Sequence, residues 1–198
     1  MKILFATSNQ GKLSEAKAVL EPLGLEVVPF PLSLIETDAG TVKEVALQKI
    51  KQAMEQGYDQ VMVDDAGIYF AAYHQFPGVL TKRIFNGIGY RGIAKLLAGE
   101  NREAWFEGTV AVCWKGQVQT FSGITKGHII DPLTEDIQPV PGFPFDSVFI
   151  PEGEHHVLKD LPMEKRLFYS YRRKALEKMA HWLFLHEKKN GQQDTYML

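Results

Sequence analysis

Hydrophobic and polar positions along the first third of the chain alternate in blocks that read as strand, helix, strand, helix, strand. Residues 2–6 (KILFA) are an apolar run bounded by Thr7-Ser8-Asn9-Gln10-Gly11, the pattern of a short buried strand ending in a turn. From Leu13 to Leu20 apolar residues recur at helical spacing, and Pro22 with Gly24 closes the element. Residues 25–30 (LEVVPF) read as a second strand. Between Thr41 and Gln56, the set Val42, Val45, Ala46, Ile50, Ala53 and Met54 fits one helical face, with Gly57 as the stop. Gln60-Val61-Met62-Val63 then predicts a strand ending in Asp64-Asp65. Strands alternating with helices imply an α/β sheet whose ligand-binding loops lie at the carboxyl ends of the strands.

The middle of the chain is β-rich. AWFEGTVAVCW and QVQTFSGITKGHII, between Arg102 and Ile130, predict a long antiparallel hairpin turning at Lys115-Gly116. A loop rich in Pro and acidic residues, 131–145, precedes a short strand at 147–150, and 172–185 is strongly helical. No repeat or low-complexity linker divides the chain, so one domain over 1–188 is expected, with a flexible polar tail at 189–198.

Composition narrows the function classes. The 198 residues are 45% hydrophobic, enough for a substantial core, and 22 basic against 24 acidic residues leave a formal charge of -2. That balance argues against a nucleic acid polymer or a membrane surface as partner, so any polyanion site must be local. The N-terminal apolar run meets polar residues at Thr7, too short for a signal-peptide core, and no segment reaches about twenty apolar residues. A soluble, untargeted chain is expected. The single cysteine, Cys113, precludes an intramolecular disulfide and points to the reducing cytoplasm. His155, His156, His181 and His186 form no zinc motif.

Three groups of residues carry chemistry. Thr7-Ser8-Asn9-Gln10-Gly11-Lys12 lies between a strand and a helix, where turn hydroxyls, backbone N–H groups and a lysine converge on a natural phosphate site; as an isolated segment it also fits an ordinary capped turn. Asp64-Asp65 offers hard oxygen ligands suited to Mg²⁺ and to activation of a water, although adjacent strand residues point to opposite faces. Glu36 and Glu44 are further acidic candidates, Glu44 with an alternative role at a helix start. Gly142-Phe143-Pro144-Phe145-Asp146 with Ser170-Tyr171-Arg172-Arg173 combines rings for stacking with a donor-only guanidinium suited to a 6-keto purine. Gly87-Ile88-Gly89-Tyr90-Arg91-Gly92 spells a dinucleotide-binding fingerprint, but no convincing strand precedes it, which argues against a Rossmann dehydrogenase.

Together these segments resemble the inosine triphosphate pyrophosphatase family over Lys2 to about Leu176. ATSNQGK is similar to its T-x-N-x-x-K loop, Glu44 to Lys49 to its E-N-A-x-x-K helix and VDDAG to its D-D-S-G segment. Pro77-Gly78-Val79 with Arg83, GFPFD and SYRRKAL resemble its P-G-V-x-S-x-R, G-F-G-Y-D and S-H-R-x-x-A-L stretches. The resemblance implies an elongated mixed β-sheet flanked by helices, two lobes around a central nucleotide-binding cleft, and a homodimer. It implies Mg²⁺-dependent hydrolysis of non-canonical purine nucleoside triphosphates (ITP, dITP, XTP) to a monophosphate and pyrophosphate. Asp65 becomes the metal-linked general base and Lys12 a catalytic group on the phosphates; Asp65, Glu36 and Asp64 become metal ligands. Thr7, Ser8, Asn9, Lys12, Lys49, Ala66, Phe143, Phe145, Asp146, Arg166, Tyr171 and Arg172 become the substrate-binding set. Four departures fall in the site: Val45 for Asn, Ala66 for Ser, Pro144 for Gly and Tyr171 for His. They leave room for a pyrophosphatase of altered base preference, or a catalytically weak nucleotide-binding protein.

Overall fold

Two helical crossovers set the parallel part of the sheet. The computed structural model describes residues 1–134 and 136–193. Strand β1 (Lys2–Phe5) leads through helix α1 (Gln10–Leu20) to β2 (Glu26–Pro29), and α2 (Val42–Glu55) crosses to β3 (Val61–Phe70). This gives three parallel neighbours in the order β2-β1-β3. Both helices start where side chains satisfy the free N–H groups of the first turn. Asn9 caps α1 by accepting from Lys12 N at 3.1 Å, and Thr41 with Glu44 forms a reciprocal capping box on α2.

Beyond β3 the sheet is antiparallel. After the two-residue strand β4 (Pro77–Gly78) and helix α3 (Thr81–Leu96), β5 (Glu103–Trp114) and β6 (Gln117–Ile129) form the long hairpin expected from the sequence. Its turn residues, Lys115 and Gly116, both have positive φ (51° and 76°), the twist that a tight hairpin requires. β5 pairs with β3 from Val61↔Cys113 to Phe70↔Ala104, and β7 (Phe149–Pro151) closes the far edge on β6. Helices α4 (Met163–Tyr169) and α5 (Tyr171–Gln193) end the described chain. Among the described residues the result is a mixed sheet flanked by five helices. No described helix is long and apolar enough to cross a membrane.

Some sequence expectations are corrected. Asp64 and Asp65 lie inside β3, not at its end, because Ala66 to Phe70 continue the strand against β5. The expected strand at 147–150 is a short 3-10 turn, Pro144–Ser147, followed by β7. Helix α3 runs through the glycine-rich run; Gly89, at φ 56° and ψ -169°, kinks it. Those glycines hide the helical period in the sequence. The backbone of α5 continues to Gln193, and the rest of the expected tail, 194–198, lies outside the described residues.

Side-chain alternation on β3 explains where the cleft falls. The face toward α1 and α5 carries Met62, Asp64, Ala66, Ile68 and Phe70 in turn. Met62 joins one apolar cluster with Phe5, Leu13, Val110, Leu176 and Met179, and Ile68 and Phe70 join another with Ile93, Phe145 and Phe149. The row between them is charged or small: Asp64, Ala66 and, opposite on β5, Gly108. A third cluster, built on Ala46, Ile50, Val61 and Val63, packs α2 on the other face. The core is therefore divided by a polar seam.

Candidate functional site

The seam opens at an edge of the sheet. β1 pairs with β3 through Leu4↔Val61 and Phe5↔Met62, and β4 joins at Ile68 and Tyr69, so neither strand pairs with Asp64 to Ala66. A cavity of about 630 Å³ fills this gap. An open strand edge can be reached from both sides, which is why Asp64 and Asp65, although on opposite faces, both line it.

One end gathers charge. Asp64 accepts from Lys12 Nζ and from Arg172 Nε, each at 2.9 Å. Burial alone would raise its pKa, but Lys12, Arg172 and Lys49 reverse that and hold it well below the usual carboxylate range. Asp65 faces Lys49 at 3.7 Å. Burial, with Asp64 and Glu36 adding to it, outweighs Lys49 and Lys12 and pushes its carboxyl up to about 6. Neighbouring carboxylates driven in opposite directions are a mark of acid–base sites. Lys49 is buried, donates to Asp64 O at 2.8 Å and to Glu36 Oε1 at 2.6 Å, and stays charged because the three carboxylates outweigh its burial. Glu36 is held below its ordinary value, since Lys49, Lys12 and Lys82 outweigh its burial. Glu44 instead accepts from Thr41 N at 2.7 Å in the capping box. Thr7, Ser8, Asn9 and Lys12 present the N-terminus of α1 to the same cavity.

The other end is aromatic. A smaller cavity of about 110 Å³ shares Phe106, Phe143, Asp146, Tyr171 and Arg172 with the first and adds Glu15, Arg166 and Ser170. Phe143 lies against Gly11, where a Cβ would come within 2.2 Å of the ring, so the absence of a side chain at that position makes room for the aromatic wall. Tyr171 packs its ring over Gly108 and stacks on Phe106 at 5.4 Å. Burial pushes its hydroxyl up to about 12, so it stays protonated. The Arg172 guanidinium lies 5.7 Å from the Phe143 ring centre; besides Asp64 it bonds a Glu15 oxygen and, at 3.2 Å, the Tyr171 hydroxyl. Two of its five N–H donors remain for a ligand. Asp146 has Arg166 at 3.8 Å, yet burial prevails and raises its carboxyl to about 7.

The residues expected to bind substrate and metal therefore line two adjoining cavities, whereas Glu44 and Arg173 line neither. Ala66 lines the larger one beside Tyr171, and Phe145 reaches its wall while its ring packs edge-on to Phe70 and Phe85 at 5.9 and 5.6 Å. Glu15 and Lys82 were missed. Glu15 follows Lys12 by three residues on α1, a spacing that puts both on one helix face. Lys82 lies on α3, whose period the glycines obscure. Among the described residues no three His, Cys, Asp or Glu side chains converge in a ready-made metal cage.

Known proteins share this sequence and shape. The dITP/XTP pyrophosphatase of Thermococcus kodakarensis is 39% identical over 184 residues, covering 92% of this chain and 97% of the relative. The inosine triphosphate pyrophosphatase of Yarrowia lipolytica is 36% identical over 191 residues, covering 95% and 97%. Among solved structures, a HAM1 protein from Coxiella burnetii superimposes with a TM-score of 0.75 at 23% identity, covering 93% of this chain and 98% of that one. The Ham1 protein of Staphylococcus aureus gives 0.71 at 21%, covering 94% and 100%. With the Ham1 family model matching residues 3–182 as well, the chain belongs to the Ham1 family.

Proposed function

We propose that this protein hydrolyses non-canonical purine nucleoside triphosphates, those of inosine, deoxyinosine and xanthosine, to the monophosphate and pyrophosphate. The observation that carries this reading is the two-ended cavity, with lysines and paired aspartates at one end and a ring-walled slot at the other. The names of the relatives, dITP/XTP and inosine triphosphate pyrophosphatase, agree with it.

Hydrogen-bond polarity separates the 6-keto purines, guanine among them, from adenine. Arg172 and Arg166 only donate, and ionised Asp146 only accepts. Hypoxanthine and xanthine present an accepting O6 beside a donating N1–H, which this slot matches; adenine presents a donating amino group beside an accepting N1, which it opposes. Lys12, Lys49, Lys82 and the N-terminus of α1 bind the phosphates. Asp65 accepts the proton of a water whose oxygen attacks the α-phosphorus, the bond to the β-phosphate bridging oxygen breaks, and pyrophosphate leaves.

The donor set suits Mg²⁺, which is held by one or two carboxylates together with substrate phosphates and not by an all-protein cage. Asp65, Glu36 and Asp64 would hold it, and its positive charge would neutralise the phosphate oxygens. Action as a homodimer in the cytoplasm completes the proposal; it is supported by the family resemblance and the unpaired Cys113.

The direct test is pyrophosphate release with Mg²⁺ from inosine, xanthosine, guanosine, adenosine and pyrimidine triphosphates. A kcat/KM for inosine or xanthosine triphosphate at least tenfold above that for adenosine triphosphate is expected. Equal turnover of all five would favour the altered-preference reading, for which Tyr171 and Ala66 beside the slot are the motive. No turnover would leave a nucleotide-binding protein.

pH dependence tests the slot separately. An N1–H bonds more strongly to an ionised carboxylate than to a neutral carboxyl, so kcat/KM for inosine triphosphate is expected to rise with pH until Asp146 has titrated near 7. Asp146→Asn should remove that inflection and leave the lower one, near 6, that belongs to Asp65. An unchanged upper inflection in the variant would remove Asp146 from base recognition.

A further inference from the structure

We infer that Gln52 is a positioning residue for the reaction: its side-chain amide fixes the backbone of Ile35 and so holds the Glu36 carboxylate at the phosphate end of the cavity. The inference rests on the function proposed above for the role of Glu36. Residues 31–40 contain no helix or strand and are largely exposed, the Ile35 side chain at 77%. Such a segment needs its backbone groups satisfied from elsewhere if it is to carry a functional side chain in one place.

Gln52 supplies two of those bonds at one residue. Its Oε1 accepts from Ile35 N at 2.8 Å, and its Nε2 donates to Ile35 O at 2.8 Å. Only one orientation of the amide satisfies both. The pair reproduces a rung of a β-ladder with a side chain in place of a strand. Leu32 and Leu34 pack on the α2 cluster just before it. Lys49 and Gln52 are three residues apart on α2 and so share a face, where they hold the successive residues Glu36 and Ile35.

The two contacts answer differently to substrate. Lys49 spends one ammonium on Glu36, Asp64 O and Asp65, and it lines the cavity, so a triphosphate competes for it directly. Gln52 is absent from the cavity wall, and its bonds involve no atom that a nucleotide would approach. When the phosphates draw Lys49 away, Gln52 and the two leucines still keep Glu36 within reach of a phosphate-bound cation. A side chain that merely stabilised the fold would not act on that cation.

The experiment compares full-length Gln52→Ala with Gln48→Ala, an exposed glutamine of the same helix. Two readouts are needed: amide hydrogen exchange over 33–38 in nucleotide-free protein, and the Mg²⁺ concentration that gives half-maximal pyrophosphate release. Gln52→Ala should speed exchange in that segment about tenfold and raise the half-saturating Mg²⁺ about tenfold, equivalent to about 1.4 kcal/mol. Gln48→Ala should do neither. Gln52→Glu keeps the side-chain length but sets an oxygen against Ile35 O, so it should fail to rescue. Unchanged protection at 33–38 or a metal dependence within twofold of wild type would overturn the proposal. If the wild-type protein hydrolyses no triphosphate, the proposed function falls, and the exchange readout alone decides whether Gln52 holds the loop.

Discussion

Asp65→Asn is expected to lower kcat for inosine triphosphate by about 10²–10⁴-fold, the usual worth of a positioned general base. Folding should not suffer. The Asp65 carboxyl titrates near 6 in the folded protein, above its ordinary value of 3.8, so ionising it costs the folded state stability as pH rises through that interval. At pH 8 the wild type carries this penalty and the asparagine variant does not. Lys49 retains Glu36 and Asp64 O as partners. Activity that collapses while the melting temperature at pH 8 holds or rises identifies a catalytic carboxylate; a variant with more than a tenth of wild-type kcat would assign the proton to another group. Asp64→Asn should behave in the opposite way. Its folded pKa is depressed, so its contribution to stability is present above the unfolded value and is lost only as pH falls through the folded one.

Arg172→Ala is expected to destabilise the protein by about 3–5 kcal/mol, the range for removing one partner of a buried ion pair. Arg172 is 2% exposed and ties Asp64 to Glu15 and to the Tyr171 hydroxyl. Without it, among the described residues, Asp64 keeps Lys12 as a side-chain partner within bonding distance, and Glu15 keeps Ser170. Arg172→Lys restores a charge but not a planar fork, so it should recover less than half of the loss. Chemical unfolding of the three proteins at pH 7 decides the matter. An alanine variant within about 1 kcal/mol of wild type would mean that Lys12 alone suffices for Asp64.

The first three strands, two helices and the long hairpin were legible because their apolar positions follow one period without interruption. Helix α3 was not, since Gly87, Gly89 and Gly92 remove side chains from the helical repeat. The short α4 buries no side chain fully and so carries no apolar stripe. At the site, local motifs exposed the phosphate turn, the aspartates and the aromatic slot. Glu15 stayed hidden because an acidic residue on a helix is ordinary until its partner is known, and that partner is Arg172, 157 residues further along the chain. The aspartates' position inside β3 was missed because pairing with β5, not local sequence, extends that strand to Phe70. Sequence period reports local burial; it does not report which strand a segment pairs with.

Lys12 and Glu15 sit on the same face of α1, where Lys12 bonds Asp64 and Glu15 bonds Arg172, which in turn bonds the same Asp64. One turn of α1 spans only about 5 Å, so these four charges form a single ring that ties the helix to β3 and to the start of α5. Asp64, on β3, thereby couples α1 and α5 at the cavity wall, so loss of any one of the four charges leaves an unmatched charge for the other three to absorb.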